Sequence, residues 1–288
     1  MFKKLLALML CVLLLMSTCA FALAAEGDDE IEVEGCLGVP YSTDEEDEEP
    51  PVEDEEQVET WYSAAQAKFL ELGAIFGEDD IESAATRSKM VSIFNISMGY
   101  IKDGTARVTF ENVQEFADIA AGSPYRDDFL IARATGFIQG DENNCANPEK
   151  LITRSEVAVI IARVMGLDLK NKSIPSGYAD DARIADWARP SIVALTEAGY
   201  FRGDNYRSFN PSAPITLAET VVLLDRVLGD IIVASTVVDG AEFAGNVTVI
   251  GENVVLRNVK IAGSLIISQA AGTVSLDKAD IGGDLIYK

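Results

Sequence analysis

Gly73, Gly136 and Gly199 stand 63 residues apart, and Gly77, Gly140 and Gly203 repeat the interval. Trp61 and Trp187 each lie twelve residues before the first glycine of their unit, with Tyr125 near the same place in the middle one. Phe116-Ala117-Asp118 and Tyr178-Ala179-Asp180 open the second and third units, and Val52-Glu53-Asp54 is a faded counterpart in the first. Self-similarity at a fixed period means one supersecondary unit made three times, each burying its apolar face against the others.

Every unit reads as helix, glycine-bounded loop, helix. In the third, Ile192, Leu195, Thr196 and Gly199 fall on one helical face, Gly199 suits a helix end, and Asp204 to Pro211 carries turn chemistry. Val221, Leu224, Asp225 and Leu228 then form the stripe of a second helix, as do Val157, Ile160, Ile161 and Val164 in the second unit. The second helices start at Thr153-Arg154-Ser155-Glu156 and Thr216-Leu217-Ala218-Glu219, and the first unit has Thr86-Arg87-Ser88-Lys89. Thr153 with Glu156, and Thr216 with Glu219, have capping-box spacing, each cap being worth about 1 kcal/mol. A cap needs no arginine beside it, and a cation at a helix start opposes the dipole unless an anion sits there. Arg154 and Arg87 therefore mark candidate anion sites, where free helix-start N–H groups and a guanidinium would hold a carboxylate. A nearby aromatic ring such as Trp187, Trp61 or Tyr125 would stack on the apolar face of a sugar.

From about Ile231 the pattern changes. Valine and isoleucine alternate with polar residues, and a 20-residue repeat matches Val254, Leu256, Ile261, Gly263, Leu265 and Ile266 to Val274, Leu276, Ile281, Gly283, Leu285 and Ile286. Gly245 to Val249 matches Gly263 to Ile267 at a slightly shorter offset. This spacing fits two to three rungs of a parallel β-solenoid, a small antiparallel sandwich or stacked hairpins being the alternative. A short stack has an open edge through which self-association is expected.

The net charge of −24 and the lack of histidine argue against nucleic-acid binding and remove histidine-based catalysis and metal sites; no cofactor is implied. Lys3, Lys4, the apolar run Leu5 to Met16 and Ala22-Leu23-Ala24 read as an export signal cleaved after Ala24, leaving no stable membrane insertion; an uncleaved anchor is the alternative. Residues 26–59 hold 17 acidic and no basic residues, an extended acidic spacer. After cleavage Cys36 and Cys145 remain, allowing one disulfide but no framework.

The combination of Tyr178-Ala179-Asp180, Trp187, Gly199 to Gly203, Phe209-Asn210-Pro211 and Ile215-Thr216, completed by Thr153-Arg154-Ser155-Glu156, resembles the S-layer homology family across about 52–229. The resemblance implies an all-α pseudo-threefold domain that binds a secondary cell-wall polysaccharide, often pyruvylated, in grooves between units. It assigns the anion to Arg154 and Arg87, and sugar contact or groove shape to Trp61, Trp187, Gly140 and Gly203. Leu217 in place of arginine weakens one groove, and unit one lacks the Phe-x-Pro segment and has Lys89 for glutamate.

The expected fold is α+β: signal 1–24, acidic linker 25–51, repeats 52–110, 111–170 and 171–230, then a solenoid-like region 231–288. The expected function is non-enzymatic anchoring to anionic wall polysaccharide, the alternative being a structural surface-layer protein whose β-rich end self-associates.

Overall fold

The computed structural model describes residues 59–288. The expected signal and cleavage point, the acidic linker, Val52-Glu53-Asp54 and Cys36 lie outside the described residues. Six α-helices occur among the described residues: α1 (Ser63–Glu71), α2 (Arg87–Ser97), α3 (Arg126–Ala134), α4 (Arg154–Met165), α5 (Arg189–Glu197) and α6 (Leu217–Leu228). None is long and apolar enough to cross a membrane.

The helices pack chiefly across the units. α2 packs on α3, α4 on α5, and α1 closes on α6. One core runs through all six, with Phe69, Met90, Phe94, Phe129, Ile161, Leu195 and Leu224 buried. Each repeat unit contributes one helix pair in sequence (α1–α2, α3–α4, α5–α6), and the first helix of each such pair ends before Gly73, Gly136 or Gly199, whose φ values of 70°, 84° and 78° are left-handed. A residue with a Cβ is strained in that region, which is why glycine recurs at this step.

At the centre, three chain segments join in a closed cycle. Ala85 N–H donates to Ile215 O at 2.8 Å, Ile215 N–H to Ile152 O at 3.0 Å, and Ile152 N–H to Ala85 O at 3.0 Å. All three residues are buried, so each peptide group gains the partner that burial demands.

A hairpin that the sequence reading did not anticipate follows α2. β1 (Ile101–Lys102) pairs antiparallel with β2 (Thr105–Ala106) across Asp103-Gly104. Both turn residues have positive φ, 50° and 72°, as a two-residue turn of this hand requires.

The C-terminal region is a parallel β-solenoid of about three turns. Its sheets are β3 (Asp230–Ile232), β6 (Val247–Val249), β9 (Leu265–Ile267) and β12 (Leu285–Tyr287); β4 (Val237–Asp239), β7 (Val254–Arg257) and β10 (Val274–Asp277); and β5 (Glu242–Phe243), β8 (Lys260–Ile261) and β11 (Asp280–Ile281). Val254 pairs with Val274, Ile261 with Ile281 and Leu265 with Leu285, all parallel, which excludes the antiparallel alternative. Val247, Val249, Val254, Leu256, Leu265 and Ile267 fill the interior. A Cβ on Gly263 would meet Asn246 Oδ1 at 2.4 Å, so the stacking of rungs here depends on its absence.

Strand alternation sends the other face of β3, β6, β9 and β12 toward the helices. Ile266 joins the helical core, with Ile231 and Ile286 packed beside it. Polar contacts fix the joint: Thr248 Oγ1 donates to Leu228 O at 2.6 Å, Asn246 Nδ2 to Val227 O at 2.7 Å, and Arg107 Nη2 to Ala270 O at 2.8 Å.

Candidate functional site: the cleft beside Arg154

The second helix of each pair starts at a threonine cap. Thr86, Thr153 and Thr216 are extended and accept from the N–H three residues on. At Thr153 and Thr216 the box is complete, because Glu156 and Glu219 accept from the cap N–H at 2.9 and 3.1 Å.

Arg154 and Arg87 are the first residues of α4 and α2. The expectation of free N–H groups beside them is corrected by the structure. Arg154 N–H donates to Ala213 O and Ser155 N–H to Pro211 O, while Arg87 N–H donates to Lys150 O and Ser88 N–H to Pro148 O. The loop of the next helix pair occupies each helix start, so a ligand finds no vacant donor there. The physical reason is burial: orphan N–H groups inside the assembly must be satisfied by protein.

The guanidinium groups are also engaged. Arg154 Nε donates to Phe209 O at 2.8 Å and Nη1 to Glu219 Oε1 at 3.1 Å, with Phe209 and Phe201 rings 5.2 and 5.5 Å away. Arg87 repeats the arrangement, Nε to Ala146 O at 2.8 Å and Nη1 to Glu156 Oε1 at 3.5 Å. Each arginine thus clasps the loop and the capping glutamate of the following pair.

Arg154 nevertheless borders a cleft of about 340 Å³, which also contains Trp61, Arg202, Gly203, Glu219 and Arg226. Trp61 is 65% exposed and presents its indole to solvent. Arg202 and Arg226 are exposed, and neither forms an ion pair among the described residues. These two were missed by the sequence reading. Arg202 adjoins Gly203, and Arg226 lies seven residues after Glu219, two turns along the same helix face; that spacing was the available signal.

Asp204 also lines the cleft and is held by its own loop. Ser208 N–H and the Asn210 amide, with Tyr206 N–H and the charge of Arg154 assisting, hold its carboxyl below the usual range. Asp141 in the preceding pair is held down in the same way, chiefly by Cys145 N–H and the Asn147 amide. Among the described residues no group of His, Cys, Asp and Glu could hold a metal ion.

The remaining sequence candidates lie elsewhere. Trp187 is exposed ahead of α5, apart from this cleft. Gly140 packs within its own loop, where an added Cβ would sit 3.1 Å from the Phe116 ring and 3.0 Å from Arg133 Nη2. Gly203 is equally tight, 3.0 Å from the Tyr178 ring. Both glycines shape the loops. Cys145 is a free thiol among the described residues.

Residues 177–221 match the S-layer homology domain. The chain is 29% identical over 130 residues to an uncharacterized cell wall amidase of Bacillus anthracis, covering 43% of this chain and 23% of that protein. It is 27% identical over 119 residues to the surface-layer 125 kDa protein of Lysinibacillus sphaericus, covering 40% and 10%. It is 38% identical over 87 residues to the cellulosome-anchoring protein of Acetivibrio thermocellus, covering 29% and 19%. The chain therefore spans less than a quarter of the length of each of these relatives. The class so defined is that of secreted proteins of the cell wall and surface layer. In particular, the chain carries an S-layer homology domain at 177–221.

Proposed function

We infer that residues 52–229 form one pseudo-threefold module of three S-layer homology repeats that anchors the chain, without catalysis, to an anionic secondary cell-wall polysaccharide. The cyclic Ala85–Ile152–Ile215 hydrogen bonds and the recurring threonine caps support three equivalent units. The observation that carries the binding reading is the cleft itself: two exposed arginines without ion-pair partners among the described residues, beside an exposed indole. Arginine forks recognise carboxylates such as a pyruvyl group, and an indole face covers the apolar face of a sugar. Arg154 builds the cleft wall and offers its remaining N–H groups; Arg87, Trp187 and Gly140 belong to the corresponding groove of the next pair. The amidase activity in one relative's name stays with that protein.

The test is sedimentation with purified walls and with walls stripped of their non-peptidoglycan polymer. Pelleting is expected with the first alone, and Arg202→Ala combined with Arg226→Ala is expected to reduce it about tenfold. Equal pelleting on stripped walls would overturn the reading.

A second reading rests on exposed Leu276, Leu285 and Tyr287 in the last rung. Self-association there would make the protein a structural surface-layer component, and sedimentation velocity across concentrations discriminates it.

A further inference from the structure

A larger cleft, about 870 Å³, lies between α1, α2, the β1–β2 hairpin, the start of α3 and strand β3. Four residues of its lining are repeat-equivalents of residues lining the Arg154 cleft. Along the repeat, 202 − 126 gives Phe76, 226 − 130 gives Ile96, 222 − 130 gives Ser92 and 61 + 63 gives Pro124, all of which line the larger cleft. The position matching Arg154, 154 + 63, is Leu217. Every cation and the indole have been replaced by an apolar residue or proline.

Glu71, Asp103, Asp127 and Asp128 line the cleft against Lys68 and Lys102. Lys68 is already committed, its Nζ donating to Asp225 Oδ1 at 2.6 Å and to Gly229 O at 2.5 Å. Asp127 touches Arg126, but Glu71 and Asp103 have no ion-pair partner among the described residues. An anionic saccharide is repelled from such a surface. Phe76 and Val233 are about half exposed within it, at 54% and 48%, and Ile101, Ile231 and Ile250 continue the apolar lining. The bordering strand β3 is an edge strand among the described residues, with β6 as its one strand neighbour there.

We propose that this cleft binds an extended segment of another polypeptide, apolar on one face and carrying lysine or arginine on the other. Apolar side chains would cover Phe76 and Val233, basic ones would face Glu71, Asp103 and Asp127, and the backbone would add to β3. The chain's own acidic stretch, 17 carboxylates and no cation over residues 26–59, is excluded by like charge. The site is independent of wall anchoring.

The test is fluorescence anisotropy of the full chain with a labelled, end-capped peptide of alternating valine and lysine, beside one of alternating valine and glutamate. Saturable binding of the lysyl peptide, weakening with salt, is expected, and none of the glutamyl one. Glu71→Lys combined with Asp127→Lys, both at exposed positions that leave the core untouched, is expected to weaken it at least tenfold while wall pelleting stays unchanged. Carbodiimide is expected to cross-link the lysyl peptide to the wild-type cleft. Equal binding of both peptides, wild-type affinity in the charge-reversed protein, or loss of pelleting in that variant would each overturn the proposal.

Discussion

Arg154 Nη1 meets Glu219 Oε1 at 3.1 Å across the junction between α4 and α6, joining the first residue of one helix to the capping glutamate of another. Arg87 and Glu156 make the same link between α2 and α4 at 3.5 Å. At the third junction both members have changed together: Leu217 replaces the arginine and Lys89 the glutamate. Lys89 instead pairs with Asp79 of its own loop at 2.6 Å. A lone half-buried carboxylate would cost about 1–3 kcal/mol, which accounts for losing both partners rather than one.

Glu219→Gln is accordingly expected to destabilise by about 1–3 kcal/mol, with a double-mutant cycle against Arg154→Ala giving a coupling of about 0.5–3 kcal/mol. At the third junction, Lys89→Glu alone sets a second carboxylate against Asp79 and should lower Tm. Adding Leu217→Arg should recover part of the loss. Strict additivity in the thermal melts would show that these positions do not face each other.

The two kinds of arginine should separate in a paired measurement. Arg226→Ala removes an exposed cation and is expected to change stability by less than about 0.5 kcal/mol while weakening wall pelleting. Arg154→Ala removes the clasp on Phe209 O and Glu219 and should lower both pelleting and Tm. If both variants lose pelleting only in proportion to Tm, the cleft has no direct role in binding.

Acid should open the junctions. Burial raises the Glu156 carboxyl, but the Thr153 N–H and hydroxyl, the Lys150 ammonium and Arg87 outweigh it and hold the group below its ordinary value. A carboxyl depressed in the folded state contributes stability above its unfolded pKa and loses it as pH falls through the folded one. Stability is therefore expected to decline below about pH 4.3, the unfolded glutamate value. Glu156→Gln should be less stable at pH 7 and have a shallower decline, read from urea midpoints across pH. An unchanged slope would remove Glu156 from the cause.

Much of this fold was legible because its signals are local. Left-handed glycines, threonine caps and parallel register each follow from residue type and spacing, as at Gly136, Thr153 and the Val254–Val274 pair. What escaped was non-local. Whether the first N–H groups of α4 are free depends on where Ala213 and Pro211 come to rest, and residues some 60 positions away give no sign of that in sequence. Arg202 and Arg226 stand outside the recurring motif and become neighbours of Trp61 when α1 closes on α6. The β1–β2 hairpin had its Asp103-Gly104 signal but lay inside a stretch assigned to a repeat.

The joint between solenoid and helices gives the last prediction. Asn246, 6% exposed, satisfies three groups at once. Its Nδ2 donates to Val227 O and to Tyr200 Oη, each at 2.7 Å, and its Oδ1 accepts from Ser264 N–H at 2.8 Å. Asn246→Leu keeps the approximate volume but orphans a helix-end carbonyl and the Ser264 N–H just ahead of β9, at about 1–3 kcal/mol each. The loss should appear as faster amide exchange at the end of α6 and in β6 and β9 together, since one side chain ties them. Ser275→Ala, on the exposed face of β10, should leave stability within about 0.5 kcal/mol. Were exchange to quicken in the strands alone, the solenoid would be folding without support from the helices, and Asn246 would be a contact of the rungs rather than the tie between the two parts.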